Sequence, residues 1–154
     1  MIMEILTHPN PKLHEKSLPT KVEDIRAGKF SKLILDMIET MNSKQGIGLA
    51  APQIGELIRL VIINTKDGEL PLINPKIVKK SWRKSTDDEG CLSVPGTFCP
   101  VKRNCSIEVK AYSQFGKQLK FKASGLFARV IQHEIDHLDG VLFIDKAKKV
   151  NKVD

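Results

Sequence analysis

Residues Ser124 to Gly140 read SGLFARVIQHEIDHLDG, and this stretch decides how the rest of the chain is read. It predicts a helix from about Ser124 to Leu138, with Gly140 just past its end as a stop signal. Inside it, His133, Glu134 and His137 form H-E-x-x-H. Residues four apart on a helix share one face, so both imidazoles can point at one cation. Glu134 lies about 100° round from His133 and about 60° from His137 on the other side, at 3.6 residues per turn. That keeps it beside a metal without binding it, as suits a base acting on water. The competing reading is a surface helix that carries two histidines by chance.

Two histidines need a third ligand. A second histidine-rich pattern, H-E-x-x-H-x-x-G-x-x-H, is matched through Gly140 but ends on Phe143, and no glutamate follows Glu134. Asp145 is the only reasonable downstream carboxylate, because Asp139 is too close and Asp154 is terminal. The upstream segment DDEGCLSVPG (Asp87 to Gly96) offers Cys91 instead. A thiolate is a strong ligand for zinc or ferrous iron, and Cys91, His133 and His137 would leave a fourth position open, as catalytic sites do. A buried inert cysteine is the alternative. Cys99 and Cys105 have no such argument and read as structural.

Outward from the motif, Ile107, Val109 and Ala111 alternate with polar residues, as do Leu119, Phe121 and Ala123. SQFGKQ with Gly116 joins them into a hairpin. LIRLVIIN (Leu57 to Asn64) reads as a strand. LPLINPKIVKK reads as another, placed at a sheet edge because prolines interrupt it. TKVE (Thr20 to Glu23) has the form of a capping box opening a helix, and Leu33, Ile34, Met37, Ile38 and Met41 predict a helix over Phe30 to Asn42. Met37 and Met41 are expected in the core. The first twenty residues, with three prolines, read as extended. Strands flank two helices without β-α-β alternation. The expected fold is α+β: a largely antiparallel sheet packed around the C-terminal H-E-x-x-H helix, with an N-terminal helix, in one domain over residues 1–154.

Composition narrows the function. With 154 residues, 41% hydrophobic and 28% charged, the chain has an ordinary globular balance. No apolar run spans a bilayer, no signal peptide is evident, and three cysteines without a staple pattern suit a reducing cytoplasm, so no membrane contact is expected. The net charge of +7 suits polyanion attraction or a solvated surface equally, and no nucleic-acid motif is present.

Three segments stand together in order: GIGLAAPQ (Gly46 to Gln53), EGCLS (Glu89 to Ser93) and QHEIDH (Gln132 to His137). This set resembles the peptide deformylase family. ILTHPNPKLHEKSLP, DMIETM and LDGVLFID resemble it too, so the likeness covers nearly the whole chain. It implies a hydrolase that removes the formyl group from N-terminal formylmethionine of nascent proteins. The implied cofactor is one divalent metal, Fe2+ in many members, with zinc, nickel or cobalt as substitutes. By the resemblance, hydroxide attacks the formyl carbon, Glu134 acts as general base and then acid, and the Gln53 amide and Leu92 N–H hold the oxyanion. Glu89 and Arg103 fall where members carry a pair that steadies the Cys91 loop. Gly46, Ile47, Gly48, Glu89, Gly90, Leu126, Arg129 and Val130 are the implied substrate contacts, with Gly46 and Gly48 letting a peptide approach and add to the sheet edge.

Arg129 departs from the family, whose members commonly carry an apolar residue there. Its stem is expected to line the methionine pocket while its head sits at the mouth, in water or paired with Asp87. The tail KAKKVNKVD lacks the long C-terminal helix of some members and reads as solvated. The ribosome is a candidate partner, a monomer is expected, and an organellar location would follow only if a targeting segment had been removed. Two rival readings stand beside this one: a zinc peptidase using Asp145, and a non-catalytic basic binding protein of translation.

Overall fold

The helix at the centre of the motif runs Gly125–Leu138, and the strands it packs on explain its sequence. The structure, a computed structural model, describes residues 1–147 and 151–152. In chain order the elements are α1 (Val22–Arg26), α2 (Ser31–Ser43), β1 (Gly48–Ala50), β2 (Leu60–Thr65), β3 (Gly68–Lys80), β4 (Lys84–Cys91), β5 (Val94–Asn104), β6 (Ser106–Tyr112), β7 (Gln118–Ser124), α3 (Gly125–Leu138), α4 (Phe143–Lys146) and a two-residue β8 (Asn151–Lys152). Single 3-10 turns cover Pro11–His14 and Ala51–Ile54.

One sheet has the order β1-β2-β3-β6-β7 and the other β4-β5-β8, with every described strand pairing antiparallel. This is the expected α+β architecture. β2 is apolar from Leu60 to Ile63 because helices cover both of its faces there. Val61 and Ile63 pack with Ile131, Ile135 and Leu138 of α3. Leu60 and Ile62 pack with Ile34, Met37 and Met41 of α2. Both methionines are fully buried, as expected. Each fully buried aliphatic side chain contributes about 1.5–3 kcal/mol, so β2 is the spine of the core.

Three local expectations are corrected. β3 is not an edge strand but the centre of its sheet. Its prolines are tolerated because β6 pairs with it only from Ile73 onward, leaving Pro71 with one partner strand, and Pro75 falls in a register shift between Ile73 and Lys76. Thr20 does not cap a helix: its backbone N–H and C=O are both bonded to the Asn74 side chain, and α1 starts after Lys21 with no side-chain cap. The segment around Cys91 is no loop but the β4–β5 hairpin, closed by the Cys91↔Val94 pair. Residues 148–150 and 153–154 of the basic tail lie outside the described residues, so the expectation for it stands apart from this account.

α3 ends where Gly140 takes φ +75, and a Cβ built there would lie 2.5 Å from the His14 carbonyl oxygen. Gly140→Ala should therefore destabilise by at least about 1–2 kcal/mol for the left-handed backbone alone, read as a lower urea midpoint at unchanged slope. An unchanged midpoint would refute this account of the turn.

Candidate metal centre

Two elements meet to form the site. α3 presents His133 and His137 four residues apart, and β4 ends at Cys91. The ligand atoms of Cys91, His133 and His137 all lie within 4.8 Å of one another. Cys91 Sγ is 3.3 Å from His137 Nε2. His133 uses Nδ1 on Glu89 Oε1 at 2.9 Å, which leaves Nε2 for the shared space. Asp145 is not among these atoms: it accepts the Leu142 N–H at 2.8 Å. Asp139 is paired with Arg59.

The carboxylate of Glu89 organises the surroundings. Its Oε2 accepts from Arg103 Nε at 2.9 Å and Arg129 Nη1 at 2.6 Å, and its Oε1 accepts from Arg103 Nη2 at 2.9 Å as well as His133. Burial favours the neutral acid, but the bonds from Arg103 and His133 outweigh it and hold the carboxyl well below the usual range. Arg103 reaches on to Asp136 of α3 at 2.5 Å. Asp136 and Ser93, whose hydroxyl takes the Gln53 amide at 3.1 Å, were not singled out from sequence. Asp136 was readable in principle, three residues after His133 and hence near its face.

The donor set fits a cation. Burial opposes charge on His133, yet hydrogen bonds to Cys91 and Glu89 prevail and raise it to about 10. Burial pushes His137 well below its ordinary value, and the charge on His133 acts in the same direction. One thiol and two imidazoles whose ligand atoms lie within 4.8 Å of one another are a set that a divalent metal would take as thiolate and neutral imidazoles. Glu134 is buried with Oε1 lacking any protein partner, and burial pushes its carboxyl up to about 7. A buried carboxyl of that kind, next to His133 on the helix and lining the same cavity, suits a proton carrier. His137 Nδ1 is also unpartnered, so of the two imidazoles only His133 has its ring fixed by a carboxylate.

A cavity of 960 Å3 opens over the site. Glu134, Gln53, Leu92 and Cys91 line it, as do Gly46, Ile47, Gly48, Glu89, Gly90, Leu126, Arg129 and Val130, while Arg103 stands behind. Gln53 is pinned by its Oε1 on the Ala50 N–H at 2.9 Å, which turns its amide nitrogen toward Cys91 Sγ at 3.5 Å. Ile47 and Leu126 are exposed at the rim. The missing side chains of Gly46 and Gly48 also make room within the protein: a Cβ at Gly46 would meet Leu92 at 3.0 Å, and one at Gly48 would meet Glu134 Oε2 at 2.5 Å. One expectation needs correction. The Arg129 head is not at the mouth in water or on Asp87. It is buried, on Glu89, the Val101 carbonyl at 2.8 Å and the Ser85 carbonyl at 2.9 Å, because those acceptors offset the cost of burying the charge.

Comparisons with known proteins give the family. A family model described as polypeptide deformylase matches residues 2–153. A peptide deformylase of Dictyoglomus thermophilum is 48% identical, covering 96% of this chain and 94% of its own length. One of Desulfitobacterium hafniense is 42% identical over 98% of both chains. Among solved structures, the peptide deformylase of Thermotoga maritima superposes with a TM-score of 0.90 at 36% identity, covering 97% of this chain and 99% of that one. That of Synechococcus elongatus, solved with actinonin, gives 0.89 at 36% identity, covering 96% and 79%. The chain belongs to the polypeptide deformylase family. It is a metal-dependent hydrolase of protein biosynthesis that removes the formyl group from N-formylmethionine peptides. No helix among the described residues is long and apolar enough to cross a membrane.

Gly48→Ala should displace the Glu134 carboxylate while leaving the three ligand atoms in place. The expected result is full metal content with a loss of about 10²-fold or more in kcat, the usual scale for a misplaced acid–base group. A variant with wild-type turnover would show that the missing Cβ at residue 48 is not what seats Glu134.

Proposed function

We propose that Cys91 Sγ, His133 Nε2 and His137 Nε2 hold a single divalent cation, Fe2+ in preference to Zn2+, Ni2+ or Co2+, and that Glu134 moves the protons of deformylation. The observation that supports this reading is the convergence of three ligand atoms within 4.8 Å, with Glu134 next to His133 on the helix and lining the same cavity. When bound, such a metal polarises the formyl carbonyl and acidifies water. Glu134 takes the proton of the attacking water and delivers it to the amine nitrogen as the C–N bond breaks, leaving formate and a free N-terminus. The Gln53 amide and the Leu92 N–H donate to the developing oxyanion. Leu126, Val130 and Ile47 offer apolar surface to the methionine side chain, with Gly90 beside them, and the free edge of β1 at Gly48 offers backbone partners to an extended peptide. Glu89 and Arg103 hold the ligands in place from behind.

Cys91→Ala and His133→Ala should lose most bound metal at neutral pH. Glu134→Gln should keep it and lose most turnover of a formyl-Met peptide. Anaerobically purified wild-type protein should carry mainly iron. Full metal in Cys91→Ala would sink the ligand set, and normal turnover in Glu134→Gln would sink the proton carrier.

We also propose that the protein works as a monomer in the cytoplasm, with the ribosome as partner through its RNA. Three free cysteines suit a reducing compartment. The uncovered face of β3, β6 and β7 sets Lys76, Lys110 and Lys120 in register across three strands, with Lys122 opposite Glu108. Like charges directly opposite destabilise a sheet; Glu108 answers Lys120 at 3.7 Å and Lys79 at 4.0 Å, and a polyanion relieves the Lys76–Lys110 pair. Trp82, the only tryptophan, is 97% exposed between Ser81 and Arg83, and an exposed indole among cations can stack on a base. Single-stranded RNA should quench Trp82 fluorescence, with affinity falling as salt rises and a shallower salt slope in Lys110→Gln/Lys120→Gln. No quenching at low salt would remove RNA as the partner of this face.

A further inference from the structure

We propose that Arg129 is a positioning residue of the metal centre: its guanidinium locks the β4–β5 hairpin, which carries Cys91, to the helix that carries both histidines. The inference rests on the reading of Cys91, His133 and His137 as ligands.

The ligands come from two elements that no covalent link holds together. Cys91 ends β4, whereas His133 and His137 lie on α3, and thiolate–metal geometry tolerates displacements of only about 0.2 Å. Something must fix the hairpin against the helix at that tolerance. Arg129 sits on α3 one turn before His133. Its Nη1 donates to Glu89 Oε2 of β4 and to the Val101 carbonyl of β5, and its Nη2 to the Ser85 carbonyl of β4. One planar fork thereby spans both strands of the hairpin. Two of its four acceptors are backbone carbonyls, the fourth being the Ser85 hydroxyl at 3.4 Å, so it holds the strands themselves and not only side chains.

Arg103 makes the reverse connection. It starts on β5, grips Glu89, and ends on Asp136 of α3. The two arginines cross between the same two elements in opposite directions and meet on one carboxylate. Glu89, two residues before Cys91, passes the constraint to His133 through the 2.9 Å contact to Nδ1. Two guanidinium charges against the carboxylates of Glu89 and Asp136 balance within this group, which is why a second buried arginine is tolerated there. A lysine would keep the charge but supply a single nitrogen, too few to span Glu89 and both carbonyls.

The test compares Arg129→Lys, which keeps the charge, with Arg129→Gln, which removes it. Both should bind Zn2+ or Co2+ about 10-fold or more weakly in chelator competition, the usual scale for residues that orient ligands. The Co2+ derivative should show shifted d–d bands and a weakened thiolate charge-transfer band, which a purely structural loss would not move. Wild-type affinity and spectrum with only a lower Tm would overturn the proposal, reducing Arg129 to packing. Tighter binding in Arg129→Gln would overturn it too, since the guanidinium would then act by repelling the cation. If one variant does not fold, the other still decides between these outcomes. Should neither fold without metal, both are refolded with Co2+ present and read by the same thiolate band, and a wild-type band in either variant would overturn the lock. Failure of the ligand reading itself shows separately, as full metal content in Cys91→Ala.

Discussion

A single buried carboxylate holds the site together. Glu89 accepts four hydrogen bonds, from two arginines and one histidine, on two oxygens that are almost fully out of water. An unpaired carboxylate at that depth would give up its charge. With these partners it stays ionised, and each partner is fixed by it in turn. Arg103 and Arg129 tie the hairpin to α3, and His133 is turned so that its second nitrogen faces Cys91. Breaking such a group by removing one member costs about 3–5 kcal/mol, far more than an exposed ion pair is worth.

The sheet supplies the rigid ground for this cluster. β2 is buried on both faces, by α3 on one side and α2 on the other, so α3 cannot slide without emptying the core it shares with β2. The remaining strands serve position more than stability. β1 is short and at an edge, which leaves its backbone free beside the cavity. The hairpin β4–β5 forms its own small sheet, packed through Val94, Cys99 and Val101 with Leu142 and Phe143. That separate core is why its registration on α3 falls to ions and not to aliphatic packing.

Function and strain share residues in this arrangement. Glu134 is placed in a space that only a glycine at residue 48 leaves open, and its buried Oε1 has no protein partner. Such an orphan lowers stability by about 1–3 kcal/mol. The same orphan is what allows a proton to be taken and returned, so the cost is tied to the chemistry and not to poor packing.

The sequence by itself determined what depends on near neighbours: the α3 helix and its stop at Gly140, the shared face of His133 and His137, the β6–β7 hairpin, and the apolar run of β2. Helical and strand periods are set by local geometry, so a window of ten to fifteen residues contains the answer. The motifs GIGLAAPQ, EGCLS and QHEIDH carried the family by resemblance. Tertiary structure alone decided the rest. β3 looked like an edge because its prolines are visible in sequence while the partner strand's reach is not. The β4–β5 hairpin was hidden because its inward positions include Glu89, Thr97 and Arg103, which a hydrophobic pattern reads as outward. Arg129 was sent to solvent for the same reason. A charge enters a core only where distant residues meet it, and Ser85, Glu89 and Val101 are brought to Arg129 by the folded chain, from 28 to 44 positions away.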